Sequence, residues 1–443
     1  MRAGVALTIR GGAEPAMRDG YGRGGWRRLI ACLILVCLSA AGAWPASAET
    51  AAKKSAVQKP PVLHSTKMRL VPFQTSPFPF DGDIPEKGVR FLDAAEGERK
   101  GHTSRSGSIY WEDKTYTDRR VLLALPRGFD PTKPVLLVVF FHGNGAKLER
   151  DVHLRQQVTR QVLDSGRNTV LVAPQFAVDA ADSSAGRFWQ PGVFRTFLDE
   201  AAAELAQMAG GERFKAAFER APVVLVAYSG GYLPAAFSLQ VGDVDDRVQG
   251  LVLLDALYGE VDRFRGWMAR KPDAFFVSIH TDFTAGVNQA LQKAMREDNL
   301  PYTTSLPRRF EPGTVSFISV PLRLPTRKTE SNKPESKETE QTAEQKAERK
   351  AAEQKERDKA ALDLHMGFVT QAFAADPLRA ILARVPRPAE AAAHPPAAAA
   401  PIPRDPHYVA RMPKPRPKTI LPNPAPEPEA PAEPTRWPTS RTD

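Results

Sequence analysis

Ser229 stands in the pentapeptide Ala227-Tyr228-Ser229-Gly230-Gly231, directly after the apolar run Val223–Ala227 and directly before a segment of helical pattern. A serine at a sharp strand-to-helix turn is held out for nucleophilic attack, and only small neighbours avoid clashes where the chain reverses. Gly230 and Gly231 meet that need. Ala227 occupies the position of the first glycine in the Gly-x-Ser-x-Gly pattern and adds a single methyl. The competing reading is a glycine-rich turn with an idle serine. A serine hydroxyl is a weak nucleophile at neutral pH, so chemistry at Ser229 requires a general base and a group that orients it.

A second constellation, His142-Gly143-Asn144-Gly145, ends the apolar run Val135–Phe141 and follows Leu125-Pro126-Arg127-Gly128-Phe129. A glycine-containing loop at the end of a strand can aim backbone N–H groups at the negative charge of a tetrahedral intermediate. Losing one such donor typically costs about 2.7 to 4 kcal/mol. Together with the serine turn, these residues resemble the α/β-hydrolase family over residues 108–385. The resemblance implies an oxyanion hole made by the N–H of Asn144 or Gly143 and that of Gly230. It makes His142 a residue that braces its loop, and it implies the chain order serine, acid, histidine.

Under that order His365 is the expected base. It follows the last strand and opens the apolar segment Met366–Phe373. His280, which ends the seventh strand, is the rival and is expected to pack or line a pocket; His394 and His407 fall in the tail. For the acid, Asp255 follows Leu251–Leu254 at the C-terminal end of a strand, where sites of open α/β sheets collect. Asp282, after the seventh strand, is where most family members keep the acid, and with Thr284 it could equally cap the next helix. The resulting scheme has His365 deprotonating Ser229, Asp255 fixing the imidazole tautomer, and an acyl-enzyme hydrolysed by water, with no metal or organic cofactor.

These residues need a scaffold, and the hydrophobic pattern supplies one. Ser108–Lys114 and Arg119–Pro126 read as a hairpin. Strands are then expected at Val135–Phe141, Thr169–Ala173, Val223–Ala227, Val248–Leu254, Ala274–Ile279 and Thr314–Leu322. Between them come helices marked by Leu148/Val152/Val158/Val162, by Phe194 to Met208, near Tyr232–Leu239, around Val261–Met268 and at Ala285–Met295. Continuous apolar runs suit strands buried on both faces, and repeated β-α alternation implies a mostly parallel sheet with helices on both faces: an α/β class, the α/β-hydrolase fold. Phe188, Trp189, Tyr258 and Phe283 suit either an acyl pocket or core packing.

Outside this domain the composition changes. Residues 1–48 carry Arg23, Arg27 and Arg28 before an apolar stretch Leu29–Ala43 and the small-residue exit Ala46-Ser47-Ala48, the pattern of a signal peptide cleaved after Ala48. An uncleaved anchor is the alternative. Both cysteines, Cys32 and Cys37, would leave with it, which excludes a disulfide, a thiol nucleophile and a cysteine metal site in the mature chain. The leader would also remove six arginines against two acids, leaving a mild excess of the formal +10. Residues 49–107 read as an irregular extension. Residues 326–361, nearly all Lys, Glu, Gln, Ala, Arg, Thr and Ser, lack an apolar stripe and read as a solvated helix or a disordered insertion, looping out of the domain at small entropic cost. Residues 386–443 hold 17 of the 40 prolines, the composition of an extended tail without a packed core.

The positive charge is scattered through low-complexity segments, which gives nucleic-acid binding little support. The expected protein is therefore periplasmic or secreted, and acts on small-molecule or polysaccharide esters, with contact to the cell envelope through the tail. A serine peptidase on the same triad is the nearest alternative. A non-catalytic envelope-binding protein on the same scaffold is a further one.

Overall fold

The computed structural model describes residues 63–322 and 343–386. The signal peptide, residues 323–342 of the charged stretch and all but the first residue of the proline-rich tail lie outside the described residues. Eight strands form one sheet: Lys67–Pro72 (β1), Arg120–Leu125 (β2), Leu136–Phe141 (β3), Thr169–Pro174 (β4), Val223–Tyr228 (β5), Val248–Leu254 (β6), Phe275–His280 (β7) and Val315–Ser319 (β8). Their order is β1-β2-β4-β3-β5-β6-β7-β8. Strand β2 runs antiparallel to both neighbours, and every other pairing is parallel.

All residues of β3, β4, β5 and β7 are buried. Their side chains alternate between two cores, because successive Cβ atoms point to opposite faces of a sheet. On one face Leu137, Val139, Phe141, Leu225 and Ala227 pack with the helices Val193–Ala209 (α1), Tyr232–Val241 (α2), Val261–Arg270 (α3) and Ala285–Glu297 (α4). On the other, Leu136, Val138, Phe140, Val226 and Tyr228 pack with Val158, Val162, Phe368, Leu378 and Ile381. Register then aligns the strand ends: Ala227 lies opposite Phe141, Tyr228 opposite Leu254, and Leu254 opposite Ile279. The loops that begin at His142, Ser229, Asp255 and Thr281 consequently leave the sheet side by side.

Two expectations need correction. Residues 49–107 are not wholly irregular. Lys67–Pro72 is an edge strand paired with β2, and Phe73, Phe78 and Phe91 are fully buried, so the domain begins well before residue 108. An edge strand exposes most of its side chains, here with Lys67 and Arg69 in solvent, and so carries little apolar signal. The expected hairpin of Ser108–Lys114 with Arg119–Pro126 does not form. Ile109–Trp111 pairs instead with Arg99–Thr103 in a three-stranded sheet, and Glu112–Thr115 makes a helical turn. Of the two readings of the charged stretch, the described part takes the helix: Ala343–Met366 is a single helix (α5). Its alanine, glutamate, lysine and glutamine are strong helix formers and propagate a helix without an apolar stripe. Gln354 Nε2 donates to Asp358 Oδ1 one turn on, at 2.7 Å.

Phe188 anchors the core beneath the site. It is fully buried, with its ring 5.2 to 6.0 Å from those of Phe141, Phe176, Phe194 and Phe197. Phe188→Ala is expected to destabilise the fold by about 3 to 5 kcal/mol, measured as a lower urea midpoint with unchanged slope.

Candidate active site

Strand β5 delivers Ser229 into a left-handed backbone conformation, with φ +50°. This is costly for a residue with a Cβ and persists only where the surroundings enforce it. Enforcement comes from close approach. A Cβ on Gly231 would lie 2.4 Å from the Phe141 carbonyl oxygen, one on Gly230 would lie 2.1 Å from Asn144 Oδ1, and one on Gly143 would lie 2.8 Å from Ser229 Cβ. Glycine is needed at those positions to let the elbow and the His142 loop touch. Ala227 needs no such relief, because its methyl faces the core and is wholly buried there.

Ser229 Oγ lies 3.0 Å from His365 Nε2, and His365 Nδ1 lies 2.7 Å from Asp255 Oδ2. With the carboxylate accepting from Nδ1–H, Nε2 is the acceptor for the serine hydroxyl. Asp255 is completely buried, and its carboxylate also receives the Thr281 N–H at 3.0 Å and the hydroxyls of Thr281 and Thr284, each at 2.7 Å. Burial alone would raise its pKa. The bond and charge of His365, with the Thr281 N–H and the Thr284 hydroxyl, outweigh burial and hold it below the usual carboxylate range. The imidazole is fixed from behind by Tyr228, whose hydroxyl donates to the His365 carbonyl at 2.8 Å and whose ring stacks on it at 5.3 Å. Such a chain can move a proton from Ser229 to His365 while the buried carboxylate stabilises the imidazolium.

Of the two candidate acids, Asp255 meets His365, whereas Asp282 is exposed on the loop beyond it. Thr284 occupies the position preceding α4, yet its hydroxyl goes to Asp255 instead of capping the helix. His365 sits in the last turn of α5 and so belongs to the charged helix, not to the start of the apolar segment that follows. His280 is buried, with Nδ1 3.2 Å from the Thr281 carbonyl.

His142 is a brace: its Nδ1–H donates to the Gly143 carbonyl at 2.8 Å, and Nε2 accepts the Phe176 N–H at 2.9 Å. Gln175, also wholly buried, donates to His142 Nε2 and to the Ala146 carbonyl and accepts the Leu148 N–H. The loop carrying Gly143 and Asn144 is thereby held against the elbow, and Asn144 Oδ1 accepts a hydrogen bond from Ser183 at 3.0 Å. Gly230 opens a helical turn, where leading N–H groups lack intrahelical acceptors.

The four aromatics divide. Phe188 and Trp189 are core residues. Tyr258 and Phe283 are partly exposed and set their edges against the His365 ring at 6.3 and 5.7 Å. Burial, with the Asp255 charge, pushes the Tyr258 phenol well above its usual pKa. Sequence reading overlooked Tyr228, Gln175, Thr281 and Thr284. Gln175 had a signal, as a polar residue closing an apolar strand; the threonines had only their places beside Asp282.

The sheet order, the single antiparallel strand and an elbow after β5 define the α/β-hydrolase fold. No protein-family model and no curated protein sequence matches the chain. Among solved structures, it is similar to the S954A mutant of a feruloyl esterase module from Clostridium thermocellum complexed with sinapinate, at 14% identity and a TM-score of 0.32 over 55% of this chain and 87% of that one. It is also similar to an S-formylglutathione hydrolase from Agrobacterium tumefaciens, at 10% identity and a TM-score of 0.28 over 51% and 89% of the two chains.

Burial depresses the His142 pKa to about 4, against an ordinary 6.5, with the Gly143 carbonyl opposing. Between those values the unfolded chain takes a proton that the native ring refuses, so stability falls as pH drops from 6.5 and levels off below about 4. The loss is on the order of 3 kcal/mol. It is read as the difference in pH-dependent unfolding free energy between the protein and His142→Asn. Equal slopes in the two would contradict a neutral, buried His142.

Proposed function

We propose that the protein is an exported serine hydrolase of carboxylic esters, with Ser229 as nucleophile, His365 as general base and Asp255 as the carboxylate that orients it. The observation that carries this reading is the unbroken hydrogen-bonded chain from Ser229 through His365 to the buried Asp255. It joins the elbow after β5, the residue after β6 and the last turn of α5. An idle scaffold would have no reason to bury a carboxylate against a histidine.

In the proposed reaction His365 Nε2 takes the Ser229 proton as Oγ bonds to the ester carbonyl carbon. The N–H groups of Asn144 or Gly143 and of Gly230 receive the oxyanion. Collapse of the tetrahedral intermediate breaks the bond to the alkoxide, which leaves with the proton from His365. Water then attacks the acyl-enzyme, gives its proton to His365, and releases the acid and Ser229. The exposed Tyr258, Phe283 and Met366 offer an apolar rim to the carbon skeleton of the ester. The arginine-bordered leader supports export, and the proline-rich tail supports contact with the cell envelope.

A fluorophosphonate probe is expected to label Ser229 in the folded protein, with labelling lost in Ser229→Ala and in His365→Ala, located by mass spectrometry of the tryptic peptide. Folded protein that stays unlabelled would remove the nucleophile from this reading. Asp255→Asn is expected to keep the fold and lower kcat on p-nitrophenyl esters by about 10⁴. A decrease of only a few-fold would show that another group orients His365.

A further inference from the structure

The three-stranded sheet formed by Ala94–Glu96, Arg99–Thr103 and Ile109–Trp111 presents a hairpin tip, Ser104–Ser108, toward the helix that follows the elbow. The tip is held by the Ser104 N–H to the Ser108 carbonyl at 2.8 Å and by Gly107 at φ +84°. At its root His102 is buried, stacked on Phe91 at 4.3 Å. Arg105 is exposed at this tip, and its Nη1–H donates to the Tyr232 hydroxyl at 3.3 Å.

Tyr232 is the first residue of α2, one helical turn after Ser229. Its ring lies 5.9 Å from that of Tyr258, which in turn sets its edge against His365, the partner of Ser229. A Cβ on Gly259 would lie 3.6 Å from the Tyr232 ring, so the wall between Arg105 and the nucleophile is made of phenol rings and a bare backbone.

The arginines nearby are neutralised: Arg99 pairs with Asp113 at 2.9 Å, and Arg263 pairs with Glu260 and Glu86. Among the described residues no carboxylate lies within ion-pair distance of Arg105, and its hydrogen-bond partner is a neutral phenol. A guanidinium has five donors in a planar fork suited to bidentate contact with a carboxylate. Tyr232 occupies one donor of this exposed side chain, from the first residue of the helix that follows the elbow.

We infer that Arg105 is a specificity-determining residue that selects esters carrying a carboxylate, with Tyr232 positioning it. The inference rests on the ester-hydrolase reading above. A single cation matches a monoanion better than a dianionic phosphate. Because this contact is made equally in ground and transition states, it acts on KM far more than on kcat.

The test uses two ester pairs that differ by a carboxylate: p-nitrophenyl succinate against p-nitrophenyl butyrate, and 4-carboxyphenyl butyrate against phenyl butyrate. Arg105→Ala is expected to lower kcat/KM for the charged member of at least one pair by about tenfold or more, mainly through KM. The neutral members should change by less than about twofold, with Arg105→Lys intermediate, and added salt should shrink the preference. Equal changes for charged and neutral members of both pairs would overturn the inference. A second arm needs no turnover: in the Ser229→Ala protein, succinamate binding followed by calorimetry is expected to weaken by a similar factor when Arg105 is also alanine. If no ester is hydrolysed, the ester-hydrolase reading fails while the binding arm still decides Arg105. Unchanged succinamate binding overturns the role of Arg105 alone.

Discussion

A fully buried aspartate is the constraint around which this site is assembled. Taking an ionised carboxylate out of water is costly unless its lone pairs are all met. Around Asp255 they are met by the Thr281 N–H, two threonine hydroxyls and the His365 ring. Those donors come from the loop after β7, the start of α4 and the end of α5, so satisfying one charge fixes the relative positions of three elements. Asp255 itself takes a left-handed backbone conformation, at φ +44°, a strain that persists where the surroundings enforce it. The His142 loop obeys the same logic in neutral form, with Gln175 and an uncharged imidazole meeting backbone groups that would otherwise be buried without partners.

Much of this was legible in the residues. The long apolar runs gave the central strands to within a residue or two, because strands buried on both faces leave no ambiguity of period. Ser229, Asp255 and His365 were legible because the chemistry demands a small-residue turn, an acid at a strand end and a late histidine. The edge strand Lys67–Pro72 and the buried phenylalanines beside it were not. They depend on pairing with β2 and on packing from Trp189 and Tyr116, contacts distant in sequence that leave no local pattern. The choice between Asp255 and Asp282 was open for a similar reason. Both follow strands, and what separates them is tertiary: Asp255 is buried against His365, Thr281 and Thr284, whereas Asp282 is exposed.

Tyr228 illustrates how one strand serves both faces of the site. Alternation along β5 sends Ala227 into one core and Tyr228 into the other, where its hydroxyl meets the His365 backbone. Tyr228, the residue before Ser229, therefore holds His365, and Ala227, the residue before that, lets the elbow close without a glycine.

The helix that carries His365 has 24 residues, and its described charged stretch stands in solvent until the last turn. Few buried contacts hold its upstream turns, so they belong to the part of the molecule with the lowest local unfolding free energy. The histidine is tethered by Asp255, Ser229 and Tyr228, by the edges of Tyr258 and Phe283, and by the short apolar segment that follows. Fraying that passed from the solvated turns into the last one would withdraw the imidazole while leaving the sheet intact. The Ser229–His365–Asp255 arrangement and the folded domain would then have separate melting behaviours, and the first would be governed by helix propensity instead of by the core.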